Sequence, residues 1–100
     1  MTSDRPVALV TGAASGIGSA TAIELARSSY DVMVNYSRSE DLARETAEVC
    51  ESHGVTAMIH QCDVADDAGV RAMLAKVEET FGRLDVLINN AGITSSAPFK

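Results

Sequence analysis

One hundred residues, 46% hydrophobic and 22% charged, suffice for one small domain with its own core. A formal charge of −6 with no Lys/Arg cluster argues against a nucleic-acid or anionic-membrane binder, because attraction to phosphate needs clustered cations. No apolar run nears the roughly 18 residues that cross a bilayer. Met1–Pro6 lacks a signal peptide's charged start and apolar core, and Cys50 and Cys62 alone make no disulfide framework. These points set the expectation of a cytoplasmic protein.

Four apolar runs alternate with three helical patterns. The first run, Val7 to Val10, leads into Thr11-Gly12-Ala13-Ala14-Ser15-Gly16-Ile17-Gly18. The next pattern carries Ile17, Thr21, Ala22, Leu25 and Ala26 on one helical face. It ends at Arg27-Ser28-Ser29-Tyr30 with no glycine. If Ser29 adopts a left-handed conformation there, it costs about 1 kcal/mol relative to glycine. A second strand runs from Val32 to Tyr36. A second helix follows, with Leu42, Thr46, Val49, Cys50 and His53 on its inner face. Ser37 and Glu40 have capping-box spacing for its start, and Gly54 is its C-terminal stop. Thr56 to Gln61 or Cys62 forms the third strand. The third helix, capped by Asp66-Asp67 and ended by Gly82, carries Val70, Met73, Leu74, Val77 and Phe81. Val86 to Ile88 is the fourth strand and opens into Asn89-Asn90-Ala91-Gly92.

Strands alternating with helices of this length give right-handed crossovers and a parallel sheet. The runs are continuously apolar, as expected where helices cover both faces. With only four aromatic residues, the core must be aliphatic and alanine-rich.

Gly12, Gly16 and Gly18 sit between a strand and a helix. Glycines there allow a tight turn and a close approach to the backbone by a large ligand. The helix that follows presents unpaired N–H groups and the positive end of its dipole, which suits a diphosphate.

With these motifs the chain resembles the short-chain dehydrogenase/reductase family. Thr11 to Gly18 matches its cofactor signature. Asn89-Asn90-Ala91-Gly92 after the fourth strand matches a second signature, and Asp63-Val64 at the end of the third strand matches another. The run Val34-Asn35-Tyr36-Ser37-Arg38-Ser39 is most like that of the β-ketoacyl carrier-protein reductases. The resemblance implies an α/β fold: a Rossmann-type, doubly wound parallel sheet in the order 3-2-1-4, incomplete relative to the family. It also implies that residues 1–100 are the N-terminal, dinucleotide-binding part of such an enzyme. On this reading Gly12, Ala14, Ser15, Gly16, Ile17 and Gly18 hold the diphosphate side of the cofactor. Asp63 and the Val64 backbone meet the adenine, and Asn90, Ala91 and Gly92 lie along the adenosine ribose. Asn89 is read as a tie between strands instead.

The choice of dinucleotide falls at the end of the second strand. An acid there would bond the ribose 2′-hydroxyl and repel a 2′-phosphate. Asp31 is at the wrong end, about 15 Å away at strand rise. The far end supplies Ser37, a hydrogen-bond donor, and Arg38, a partner for phosphate, which favours NADP over NAD. Against this, Ser15 stands where NADP users of the family often carry a basic residue.

Cys50, His53, His60, Cys62 and Asp63 invite a metal site, but they fall on different elements and no paired Cys-x-x-Cys closes one, so no metal is expected. Family members interconvert a ketone and an alcohol by hydride transfer, using a Ser and a Tyr-x-x-x-Lys pair. The chain has no Tyr-x-x-x-Lys: Tyr30 and Tyr36 lack a Lys four residues on. No catalytic residue is assigned. The resemblance implies a small carbonyl or alcohol substrate, possible 3-oxoacyl thioester reduction, and a homo-oligomer at full length. A non-catalytic dinucleotide-binding or interaction fragment is the alternative.

Overall fold

The computed structural model describes residues 3–90. Its elements are β1 (Val7–Val10), α1 (Gly16–Arg27), β2 (Asp31–Tyr36), α2 (Glu40–Glu51), β3 (Ala57–Gln61), α3 (Asp67–Phe81) and β4 (Val86–Ile88). The four strands form one parallel sheet in the order β3-β2-β1-β4, as the family resemblance implies.

Every residue of β1 and β2 is buried, because helices cover both faces of the two central strands. The edge strands β3 and β4 are only partly covered. One core lies between the sheet and α1 with α2. It is built from Val10, Val32 and Val34 of the sheet with Ala22, Ala26, Ala43, Ala47 and Cys50 of the helices. The small alanines let the helices sit close to the β-branched strand surface. The opposite core sets Val7, Leu9 and Met33 against Met73, Val77 and Phe81 of α3. Truncating the fully buried Leu9 to alanine would cost about 2–5 kcal/mol.

Two helical faces differ from the expected ones. In α1 the buried residues are Gly18, Ala22 and Ala26, whereas Ile17 is 78% exposed. Ile17 occupies the helix's first turn, beyond the end of the sheet, where nothing covers it among the described residues. In α2 the buried stripe is Ala43, Thr46, Ala47 and Cys50, Leu42 and Val49 face outward, and His53 lies exposed beyond the helix's end. The helix is rolled toward its smaller side chains because the narrow gap over β2 admits alanines and not leucine.

The helix ends follow local chemistry. Asp66 caps α3 by accepting from Ala68 N–H at 3.2 Å, and Gly82 ends it with φ 76°. The N-cap of α2 is Ser39 and not Ser37, with Glu40 and Asp41 in its first turn. Gly54 makes the expected left-handed turn (φ 88°), two residues past the C-cap Ser52. Ser29 has φ 71°, the strained conformation its sequence position requires. No helix among the described residues is long and apolar enough to cross a membrane.

Candidate functional site

Parallel register brings the carboxyl ends of the strands together. Val10 pairs with Val34 on one side and Ile88 on the other, and Val34 pairs with Ile59. The segments after each strand therefore gather on one edge of the sheet: Thr11–Gly18, Ser37–Arg38, Asp63–Val64 and Asn89–Asn90. Ala91 and Gly92 lie outside the described residues.

The three glycines do separate jobs. Gly12 and Gly16 have φ 61° and 63°, left-handed values that favour glycine. Gly18 is excluded from substitution by space. A Cβ there would sit 2.2 Å from the Gly12 carbonyl oxygen and 2.7 Å from Asn90 Nδ2. The helix can thus start directly against the turn. Two glycines in a first turn forgo the helix propensity that alanine brings at an unstrained, uncrowded helical position, about 1 kcal/mol each. Such a local cost marks a place where the backbone serves something other than helix stability.

The three helix starts differ in charge and capping. The first turn of α2 holds Glu40 and Asp41; that of α3 holds Asp67 and is capped by Asp66. The first turn of α1 holds no acid, and its N-cap Ser15 makes no side-chain cap bond. The N–H groups of Gly16, Ile17 and Gly18 have no intrahelical acceptor. They stand with the positive dipole end at an uncompensated terminus, and around the Gly16 Cα there is open space. The donor set fits an anion such as a diphosphate.

The turn itself is held from three directions. Ala14 carbonyl accepts from the Thr46 hydroxyl of α2 at 3.2 Å, and Ser19 meets the same hydroxyl at 2.8 Å. Asn90 Nδ2 donates to the Gly12 carbonyl at 3.1 Å. Thr11 Oγ1 shares its single O–H between Asn89 Oδ1 at 3.2 Å and the Ile88 carbonyl at 3.3 Å. Asn89 is the tie between β1 and β4 expected from the sequence. Asn90 ties the same ends with its amide nitrogen as well.

Ser37 and Arg38 are both exposed at the end of β2. Ser37 carbonyl accepts from Gln61 Nε2 at 2.9 Å, which joins the ends of β2 and β3. Arg38 enters none of the ion pairs among the described residues. The nearby Glu40 is engaged by Arg44 one turn along α2. Asp63 is exposed and folds its own turn, with Oδ1 accepting from Ala65 N–H at 2.9 Å and its carbonyl accepting from Asp66 N–H at 2.8 Å. Val64 is half-buried and borders an apolar recess of about 160 Å³ with Leu9, Met73 and Leu87. That recess lies between α3 and the β4 edge and includes none of Gly12–Gly18 or Arg38.

Asp31, by contrast, lies 3% exposed at the opposite end of β2. No cluster of His, Cys, Asp and Glu among the described residues could hold a metal ion. Both cysteines are buried and free. Burial, with Glu51 adding to it, pushes the Cys50 thiol up to about 11, so it stays protonated near neutrality and is a poor nucleophile.

Sequence reasoning passed over two buried polar residues that organise the turn. By sequence Thr46 falls in a helical face, and Asn35 falls in a strand and in the Val34–Ser39 run that carries the family likeness. The signal for Asn35 is a carboxamide directly after the apolar run Val32-Met33-Val34, which is costly when buried unless its polar atoms are bonded.

The comparisons agree with this arrangement. The family model for short chain dehydrogenases matches residues 6–100. The 3-oxoacyl-acyl-carrier-protein reductase FabG of Staphylococcus aureus is 48% identical over 87 residues, 87% of this chain and 35% of FabG. The short-chain dehydrogenase/reductase homolog YusS of Bacillus subtilis is 44% identical over 92 residues, 92% of this chain and 84% of YusS. Among solved structures, a Burkholderia xenovorans chain assigned to the short-chain dehydrogenases/reductases superposes with TM-score 0.89 at 35% identity. It is matched over 97% of this chain and 40% of its own length. Acetoin dehydrogenase of Enterobacter cloacae superposes with TM-score 0.81 at 40% identity, over 94% of this chain and 37% of its own length. The chain thus spans about a third of the length of FabG and most of YusS. With the glycine turn, the parallel sheet and the strand order all in place, the chain belongs to the short-chain dehydrogenase family.

Proposed function

We propose that this chain binds NADP(H) along the carboxyl edge of its sheet, as the cofactor-binding part of an oxidoreductase that interconverts a ketone and a secondary alcohol. The observation that carries the reading is the uncompensated start of α1 on the same sheet edge as Arg38, which is exposed and enters no ion pair among the described residues. The first-turn N–H groups of Gly16, Ile17 and Gly18 receive the diphosphate. Ser37 and Arg38 receive the 2′-phosphate, with no acid at the end of β2 to repel it. Asp63 and Val64 border the adenine, and Asn90 with Ala91 and Gly92 lies along the adenosine ribose. Ile17, exposed beyond the glycine turn, offers an apolar surface to the rest of the dinucleotide. The bound nicotinamide supplies or accepts the hydride; the residues named here bind and orient it. The likeness to FabG supports a 3-oxoacyl thioester as the substrate class. A cytoplasmic location and, at full length, a homo-oligomer complete the reading.

A second reading has its own support. The 100 residues hold no Tyr-x-x-x-Lys, and the relative YusS is matched over 84% of its own length. A dinucleotide-binding module without turnover fits both facts. The residues that follow Lys100 separate the two readings: a Ser followed by Tyr-x-x-x-Lys supports the oxidoreductase, and their lack supports the module. Residues 1–100 alone are expected to bind NADPH and not oxidise it, and measurable turnover would overturn that assignment.

Cofactor choice is tested by titrating NADPH and NADH into the wild type and Arg38→Ala. NADPH affinity is expected to fall by about tenfold, the worth of one charge-assisted contact, while NADH affinity stays within about twofold. Equal loss for both cofactors, or none for NADPH, contradicts the role of Arg38.

A further inference from the structure

Asn35 is the next-to-last residue of β2 and 1% exposed. Its Oδ1 accepts from Gly12 N–H at 3.0 Å. Its Nδ2 donates to the carbonyls of Cys62 at 3.2 Å and His60 at 3.3 Å. Its own carbonyl accepts from Ala13 N–H at 2.8 Å. The orientation of the amide follows from its partners: Gly12 N–H can only donate, and the two carbonyls can only accept. One side chain therefore joins the glycine turn after β1 to the end of β3, across β2. No other residue type of that size supplies an acceptor on one side and two donors on the other.

The two segments it joins are those assigned to opposite sides of the adenosine diphosphate half of the cofactor. Gly12 opens the diphosphate turn, and the Cys62 carbonyl immediately precedes Asp63-Val64. Because Gly12 and Ala13 N–H are both committed to Asn35, the turn's donors left for the ligand are those from Ala14 to Gly18. We propose that Asn35 is a positioning residue of the dinucleotide site, fixing the spacing between the diphosphate turn and the adenine turn. The proposal rests on the dinucleotide-binding reading above.

Asp31 gives a matched control. It is 3% exposed at the other end of the same strand and also ties neighbouring chain segments, through Thr56 N–H and Arg5. Asn35→Asp keeps the acceptor for Gly12 N–H, removes both donors and sets a carboxylate against two carbonyls. Asp31→Asn weakens the other end. NADPH and ADP titrations are made beside thermal melts without ligand, at a temperature where near-ultraviolet circular dichroism shows each variant folded. Asn35→Asp is expected to weaken NADPH and ADP by about tenfold or more, the worth of lost hydrogen bonds that fix the site. Asp31→Asn is expected to lower Tm with both dissociation constants within about twofold of wild type. A lowered Tm with unchanged affinities in Asn35→Asp would reduce Asn35 to a strand tie and overturn the proposal.

A measurement on the wild type guards against a variant that does not fold. Hydrogen exchange of the ligand-free chain is expected to be slow at Gly12 and Ala13 and fast at Gly16, Ile17 and Gly18. Gly12 exchanging as fast as Gly16 would refute the clamp. Failure of the wild type to bind NADPH, NADH or ADP would instead refute the dinucleotide reading itself.

Discussion

The two edges of the sheet are built from opposite kinds of chemistry. At the amino edge, side-chain charge is spent on the chain itself. Asp31 accepts from Ser3 Oγ and Thr56 N–H and pairs with Arg5. Asp85 accepts from Val7 N–H at 2.8 Å and pairs with Arg83 at 2.8 Å, while Arg83 also donates to the Ser3 carbonyl. At the carboxyl edge, the side chains that tie one segment to another are neutral, Asn35, Thr46, Asn89 and Asn90, and the exposed Asp63 carboxylate bonds within its own turn. What faces outward is a cation, Arg38, and the N–H groups of an uncapped helix start. A fold that satisfies its charges at one end and leaves donors open at the other has a structural end and a binding end.

This contrast can be broken most severely at Gly18. A Cβ 2.2 Å from a backbone carbonyl cannot be relieved by a rotamer change. Gly18→Ala should cost about 3 kcal/mol or more and abolish NADPH binding by pushing α1 away from its turn. Gly16→Ala meets open space and only backbone strain, so it should cost about 1 kcal/mol. Chemical denaturation of both variants checks the difference. Equal costs would mean that the turn is not packed as described.

Asp31→Asn comes next. It leaves Arg5 without its partner and weakens a buried acceptor, at a cost of about 1–3 kcal/mol in urea unfolding. The amino edge should register this and the binding edge should not. A change in NADPH affinity beyond about twofold would show that the two edges are coupled.

A smaller effect comes from Asp85. The Arg83 guanidinium and then the Val7 N–H hold its carboxyl below the ordinary value of 3.8. A carboxyl whose folded value is lowered adds stability above the unfolded value and loses it as pH falls through the folded one. The Tm difference between wild type and Asp85→Asn should therefore be full near neutral pH and shrink below about pH 4. A difference that grows in acid would contradict the pairing.

Ser29→Gly is the mildest change. It relieves a left-handed serine (φ 71°) in the turn between α1 and β2 and should gain about 1 kcal/mol or slightly less. Unchanged stability would place the strain elsewhere.

The sequence disclosed the carboxyl edge better than it disclosed the packing beneath it. Glycine spacing, Asp66 and Gly82 have local causes, and each falls where local chemistry puts it. The strand order came from the family resemblance and holds. The face of α2 was misjudged because Leu42 and Val49 outweigh Ala43 and Ala47 in any hydrophobic count. The choice between them is made by the width of the gap over β2, a tertiary property. Ile17 was misplaced for a related reason: periodicity assigns it to the inner stripe, but the sheet has ended beneath it. Asn35 and Thr46 were legible only as oddities, since their partners Gly12, Cys62 and Ala14 are brought near by the parallel crossovers.

The division into a structural edge and a binding edge is tested most directly by mapping amide shifts of the isotope-labelled chain as NADPH is added. The account predicts shifts in Gly12–Gly18, Ser37–Arg38, Asp63–Val64 and Asn90, and none at Ser3, Arg5, Asp31, Thr56 or Asp85. Shifts centred on the amino edge, or none at the glycine turn, would contradict it.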